Sequence, residues 1–140
     1  SPYAEYRMKY LTNGSNLTVA SAGLKVGIQG NPPIEAQNAA SSLGLDLSKH
    51  VSREVDKHMM DAIHMICVME HSQLRILYRS FPEHRNKIYL LPLFDPDKAS
   101  HRHLYKYSIR DPYGKGEQEF FACYQRIDRC LYSLSESLLH

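Results

Sequence analysis

Ile63-His64-Met65-Ile66-Cys67-Val68 is a nearly unbroken apolar run with β-branched residues at both ends. Such a run fits a strand buried on both faces, the pattern of a parallel sheet covered by helices. On its C-terminal side Met69-Glu70-His71 ends the strand. A helix follows with Leu74, Leu77, Tyr78 and Phe81 on one face, and Pro82 closes it. Lys87 to Leu91 is a second buried strand. A strand, a helix and a second strand in this order predict one parallel crossover unit.

The pattern continues toward the N-terminus. Ser52 is a candidate cap for a short helix through Val55 to Met59, and Asp46 to Val51 is a connector containing His50. Pro33 opens a helix through Ile34, Ala39, Ala40 and Leu43, with Gly44 as its stop and Leu45 as the apolar contact after it. Leu17-Thr18-Val19-Ala20 alternates and predicts a short strand. Ser1-Pro2 has the form of a helix start, with Ser as cap and Pro at the first position, for a helix ending near Asn13-Gly14.

Toward the C-terminus, Asp95 to Gly116 is a long loop, and loops of that length are usually functional or mobile. It holds Ile109-Arg110-Asp111-Pro112-Tyr113-Gly114. Pro112 fixes its own φ and keeps Asp111 extended, so the carboxylate can be aimed as a general acid or base. The same residues also make an ordinary surface turn. The last helix runs from Glu117 to about Leu138, with Phe120, Tyr124, Ile127, Leu131, Leu134 and Leu138 on its core face.

Composition bounds the function. The chain has 140 residues, 43% hydrophobic and 23% charged, with a net charge of +2. That balance is ordinary for a globular domain and too mild to point to nucleic acid. No apolar run is long enough to span a membrane, and the N-terminus does not resemble a signal peptide, so a cytoplasmic location is expected. Cys67, Cys123 and Cys130 have no metal-ligand spacing and read as free thiols. Cys123 and Cys130 sit on one helix face, too far apart to bridge. His64 inside the strand reads as a core histidine with a partner. The His101, His103, Tyr105 and Tyr107 cluster reads as a solvated loop.

The pieces together resemble the low-molecular-weight protein tyrosine phosphatase family, bacterial type. The matching segments include Ser1-Pro2-Tyr3-Ala4-Glu5, Ser21-Ala22-Gly23, Gly30-Asn31-Pro32-Pro33 and Gly44-Leu45-Asp46-Leu47-Ser48. They continue with His50-Val51-Ser52-Arg53, Met69-Glu70-His71, Lys87-Ile88-Tyr89-Leu90-Leu91 and Asp111-Pro112-Tyr113-Gly114. The resemblance implies an α/β fold with a parallel four-stranded sheet, order 2-1-3-4, flanked by helices. It implies hydrolysis of phosphotyrosine through a phosphocysteine, without cofactor or metal, on a phosphotyrosine-containing protein such as a tyrosine kinase.

By the same resemblance Asp111 is the general acid and Tyr113 the aromatic wall against the substrate ring. Ser1 is the serine that supports the thiolate, while Ser21 and His50 brace the phosphate loop. The family's signature is Cys-x5-Arg-Ser-Pro after a short apolar strand, and this chain begins at the Ser-Pro. Cys123 has Arg129 six residues on, but within a periodic helix that cannot turn its amides toward one point. The expectation is a single phosphatase-like domain over 1–140, lacking the central first strand, the cysteine and the arginine, and inactive as it stands. A non-catalytic relative acting as a binding or regulatory module and an arsenate reductase of the same fold are the alternatives.

Overall fold

The computed structural model describes residues 1–25, 30–97 and 108–140. Its elements are α1 (Pro2–Leu11), α2 (Ile34–Ser42), α3 (Lys57–Ala62), β1 (Ile66–Val68), α4 (His71–Ser80), β2 (Ile88–Leu90) and α5 (Glu117–Leu139), with 3-10 turns at Pro82–Lys87 and Leu91–Phe94. β1 and β2 pair in parallel, Ile66 opposite Ile88 and Val68 opposite Leu90. The period-two alternation of β1 sends its side chains to two layers. Ile66 and Val68 pack with Met60, Leu74, Leu77, Ile88 and Leu90, the cluster under α3 and α4. Cys67, with Met65 and Met69, packs against the larger cluster of α1, α2 and α5. The fold is α/β, and helices cover both faces of the strand pair.

The helix ends follow the sequence chemistry. Ser1 Oγ accepts from the Ala4 N–H at 3.3 Å, and Pro2 opens α1. Gly44, at φ +88°, lets Leu45 N–H reach the Ala40 carbonyl at 2.9 Å and closes α2. α1 and α5 are joined by a polar cluster inside the core. Tyr3, fully buried and stacked on Tyr124 at 4.0 Å, donates its hydroxyl to Asp128 at 2.8 Å. Arg7 Nε donates to the same carboxylate at 2.9 Å, and Arg7 Nη2 donates to the Leu43 carbonyl at 2.7 Å. Asp128 thereby ties α1 to α5, and Arg7 ties that pair to the end of α2.

Four sequence expectations are corrected. The strand expected over Ile63–Val68 begins only at Ile66, because α3 runs to Ala62 and Ile63 caps it. His64 falls in the bend between them and is exposed, not a core histidine. Ser52 caps nothing; Asp56 is the cap, accepting from Met59 N–H at 2.8 Å. Arg53 to Val55 is held extended instead, by Gly23 N–H to the Arg53 carbonyl at 2.8 Å and Val55 N–H to the Gly23 carbonyl at 2.9 Å. Leu17–Ala20 forms no strand ladder, since no backbone hydrogen bond among the described residues gives it a partner or joins it to Ile63–Val68. His101, His103, Tyr105 and Tyr107 lie outside the described residues.

Candidate active site

The C-terminal end of β1 organises the site. Ile109 N–H donates to the Met69 carbonyl at 2.8 Å, and His71 N–H donates to Ser108 Oγ at 2.9 Å. These bonds fix the returning loop against the strand end, and buried Ile109 and Pro112 anchor it in the core. Asp111 is exposed between those two anchors. Its Oδ1 accepts the Tyr113 N–H at 3.0 Å, and Lys115 N–H closes the turn onto the Pro112 carbonyl at 2.9 Å. Gly114 takes φ +79°, which a side-chain-bearing residue adopts only with strain. Tyr113 projects its ring into solvent, 72% exposed.

Ser1 and Asp111 share one end of the sheet. Ser1 is exposed as a residue, but its backbone nitrogen is crowded by protein atoms and lies close enough to Glu5, Asp111 and Cys123 to feel their charge. Cys123 lies close enough to Asp111 for that carboxylate to raise its pKa further, and its thiol donates to the Arg110 carbonyl at 3.9 Å. Burial pushes the thiols up, Cys67 to about 12 and Cys123 and Cys130 to about 11. All three are free. At neutral pH such thiols are almost wholly protonated and poor nucleophiles.

Ser21 and His50 meet at Glu5, a residue to which local sequence patterning assigns no role. Glu5 is 5% exposed. It accepts from Ser21 Oγ at 3.0 Å and Lys9 Nζ at 3.2 Å, and it faces His50 Nδ1 at 3.3 Å and Arg53 Nη2 at 3.9 Å. Burial lowers the His50 pKa, with Glu5 opposing. The i,i+4 spacing of Glu5 and Lys9 was visible in the sequence, but that signal suggests a surface pair. Nothing local shows that the acidic member turns inward. Among the described residues no group of three or more His, Cys, Asp or Glu is placed to hold a metal ion.

The profile described as low molecular weight phosphotyrosine protein phosphatase matches residues 1–140. The chain belongs to this family. It is 29% identical over 138 residues to the low molecular weight protein-tyrosine-phosphatase Wzb of Salmonella typhi, covering 99% of this chain and 85% of that one. It is 30% identical over 144 residues to the low molecular weight phosphotyrosine protein phosphatase of Mus musculus, covering 97% and 86%. Among solved structures, Vibrio vulnificus Wzb in complex with benzylphosphonate superposes with a TM-score of 0.82 at 26% identity, covering 98% of this chain and 89% of that one. No helix of the phosphatase chain, among its described residues, is long and apolar enough to cross a membrane.

Proposed function

We propose that residues 1–140 form the general-acid side of a phosphotyrosine phosphatase domain, with Asp111 as the acid and Tyr113 as the substrate-facing ring. One observation carries the reading: Asp111 stands exposed on a loop hydrogen-bonded to the end of β1, at the same end of the sheet as Ser1. Its Oδ1 is occupied by the Tyr113 amide, and Oδ2 has no hydrogen-bond partner among the described residues, leaving it available for proton transfer. Tyr113, fixed by the same turn, offers an aromatic face to a phenyl ring. That the Vibrio relative is described with benzylphosphonate, a phosphonate joined to a phenyl ring through one CH2, supports the same substrate class.

In the family reaction a cysteine thiolate attacks phosphorus and the bond from phosphorus to the phenolic oxygen breaks. Protonated Asp111 gives its proton to that oxygen as it leaves. Water then attacks the phosphocysteine, Asp111 takes its proton back, and phosphate and thiolate are released. Cys67, Cys123 and Cys130 are poor candidates for the thiolate, given their raised pKa values. The reaction therefore needs a thiolate from outside these residues. Ser1 stands where α1 begins, positioned to support it. Glu5, held by Ser21 and His50, keeps that end of α1 in place. The four-stranded order 2-1-3-4 belongs to the same proposal, with a further strand on the edge of β1 that β2 leaves unpaired.

A phosphoprotein with an accessible phosphotyrosine, a tyrosine kinase included, is the substrate class, acted on in the cytoplasm. The test is the protein translated from the reading frame upstream of Ser1 through His140, assayed on a phosphotyrosine peptide and quenched in acid. A phosphorylated cysteine preceding Ser1 is expected. Phosphate release without any covalent phosphoprotein overturns the reading, and so does an inactive protein, which would instead fit the binding-module alternative.

A further inference from the structure

We propose that Arg110 and Lys115 select phosphotyrosine substrates that carry acidic side chains next to the phosphotyrosine. The inference rests on the phosphatase reading and adds a specificity determinant to it. A cleft of about 240 Å³ opens beside Asp111, between the loop and α5. Arg110, Lys115 and Arg126 line it with positive charge, against Asp111 and Glu119. Arg126 is already paired with Asp95, so Arg110 and Lys115 are the cations this wall can offer to a ligand.

The two loop cations are placed, not loose. Ile109 N–H is bonded to Met69 and the Arg110 carbonyl receives the Cys123 thiol, so the backbone on both sides of the Arg110 side chain is fixed. Lys115 is fixed by its own N–H on the Pro112 carbonyl. Both side chains are exposed, and neither has an ion pair among the described residues. Other cations of this end of the fold are engaged: Arg53 and Lys9 with Glu5, Arg129 with Asp95, and Arg126 with the Ser108 carbonyl and Asp95. Glu119 lines the cleft from α5 and makes no ion pair with Arg110 or Lys115 among the described residues. Two unpaired cations at fixed positions beside the scissile bond favour an acidic neighbour in the peptide and disfavour a basic one.

The test uses the protein from the complete reading frame and three phosphotyrosine peptides, with glutamate, glutamine or lysine flanking the phosphotyrosine. The readout is the ratio of kcat/KM between acidic and neutral peptides within each variant, so a partly folded variant cancels out. The unmodified protein should favour the glutamate peptide by roughly three- to tenfold, as exposed pairs permit. Arg110→Ala with Lys115→Ala should bring the ratio close to one, and Arg110→Glu with Lys115→Glu should invert it. The preference should shrink as salt rises. Equal ratios in all three proteins, or a preference that survives charge reversal, overturns the inference while leaving phosphatase activity standing. Absence of turnover on every peptide overturns the phosphatase reading itself, and this inference with it.

Discussion

The Glu5 carboxylate lies 3.3 Å from His50 Nδ1, and both side chains are less than a tenth exposed. A carboxylate on the first helix and an imidazole on the connector before α3 are thus held face to face at the end of the sheet that carries Asp111. Burial lowers the His50 pKa below 6.5, with Glu5 pulling the other way and Arg53 and Lys9 adding to the fall. The neutral ring is the folded form.

Because the folded state binds the proton on His50 less well than the unfolded chain, its contribution to stability is complete above about pH 6.5. That contribution is lost as pH falls from there toward the folded-state value. Urea unfolding at a series of pH values between 7.5 and 5 should show this fall, and His50→Asn should flatten it. Identical pH slopes in the two proteins would exclude His50 as the titrating group.

Replacing Glu5 with Gln leaves Ser21, Lys9, His50 and Arg53 facing a neutral amide. The expected cost is about 1–3 kcal/mol, the range for a buried polar group left poorly matched. Thermal or urea denaturation checks it, and a loss below about 0.5 kcal/mol, within the usual spread for surface changes, would place Glu5 in solvent instead.

Asp128→Ala removes the acceptor shared by the Tyr3 hydroxyl and Arg7 Nε, leaving a nearly buried guanidinium without its carboxylate. Destabilisation of roughly 3 kcal/mol is expected, as for other broken buried pairs. Tyr3→Phe keeps the stack on Tyr124 and the Arg7–Asp128 pair, so it should cost only about 1 kcal/mol. The reverse ranking in urea denaturation would contradict the assignment of Asp128 as the hub.

The three thiols should resist alkylation. With Cys67 at about 12 and Cys123 and Cys130 at about 11, iodoacetamide at pH 7 should label the folded 140-residue chain roughly a hundredfold more slowly than a free cysteine peptide. The same chain should not hydrolyse an aryl phosphate above background. Rapid labelling of any of the three would reopen the question of a resident nucleophile.

Much of the architecture was legible because the strongest local signals agree with the packing. Ser1-Pro2 starts α1, Gly44 ends α2, and Glu117 to Leu138 lies in one helix that buries Phe120, Tyr124, Ile127, Leu131 and Leu134 as expected, while Leu138, also expected on that face, is exposed near the helix end. The strands fall short of the apolar pattern where it lacks a partner: Ile63 to Met65 and Leu17 to Ala20 have strand composition but no ladder among the described residues. Arg53 to Val55 was misread as helical because its pairing with Gly23 is a contact thirty residues away, invisible to local patterning. At the candidate site, Asp111 could be singled out because Pro112 restricts its backbone, whereas Tyr113 entered only through the resemblance to the family. Glu5 could not, because its inward turn depends on Ser21 and His50 arriving from elsewhere in the chain.

The role of Asp111 is most directly tested by a leaving-group series. In the protein from the complete reading frame, Asp111→Ala should slow formation of the phosphoenzyme by about 10²–10³ for aryl phosphates with poorly acidic phenols, in the range for loss of a general acid. For strongly acidic phenols, which leave without a proton, the rate should change little, so the dependence on phenol pKa should steepen. Parallel lines for Asp111→Ala and the unmodified protein across the series would contradict general-acid catalysis by Asp111.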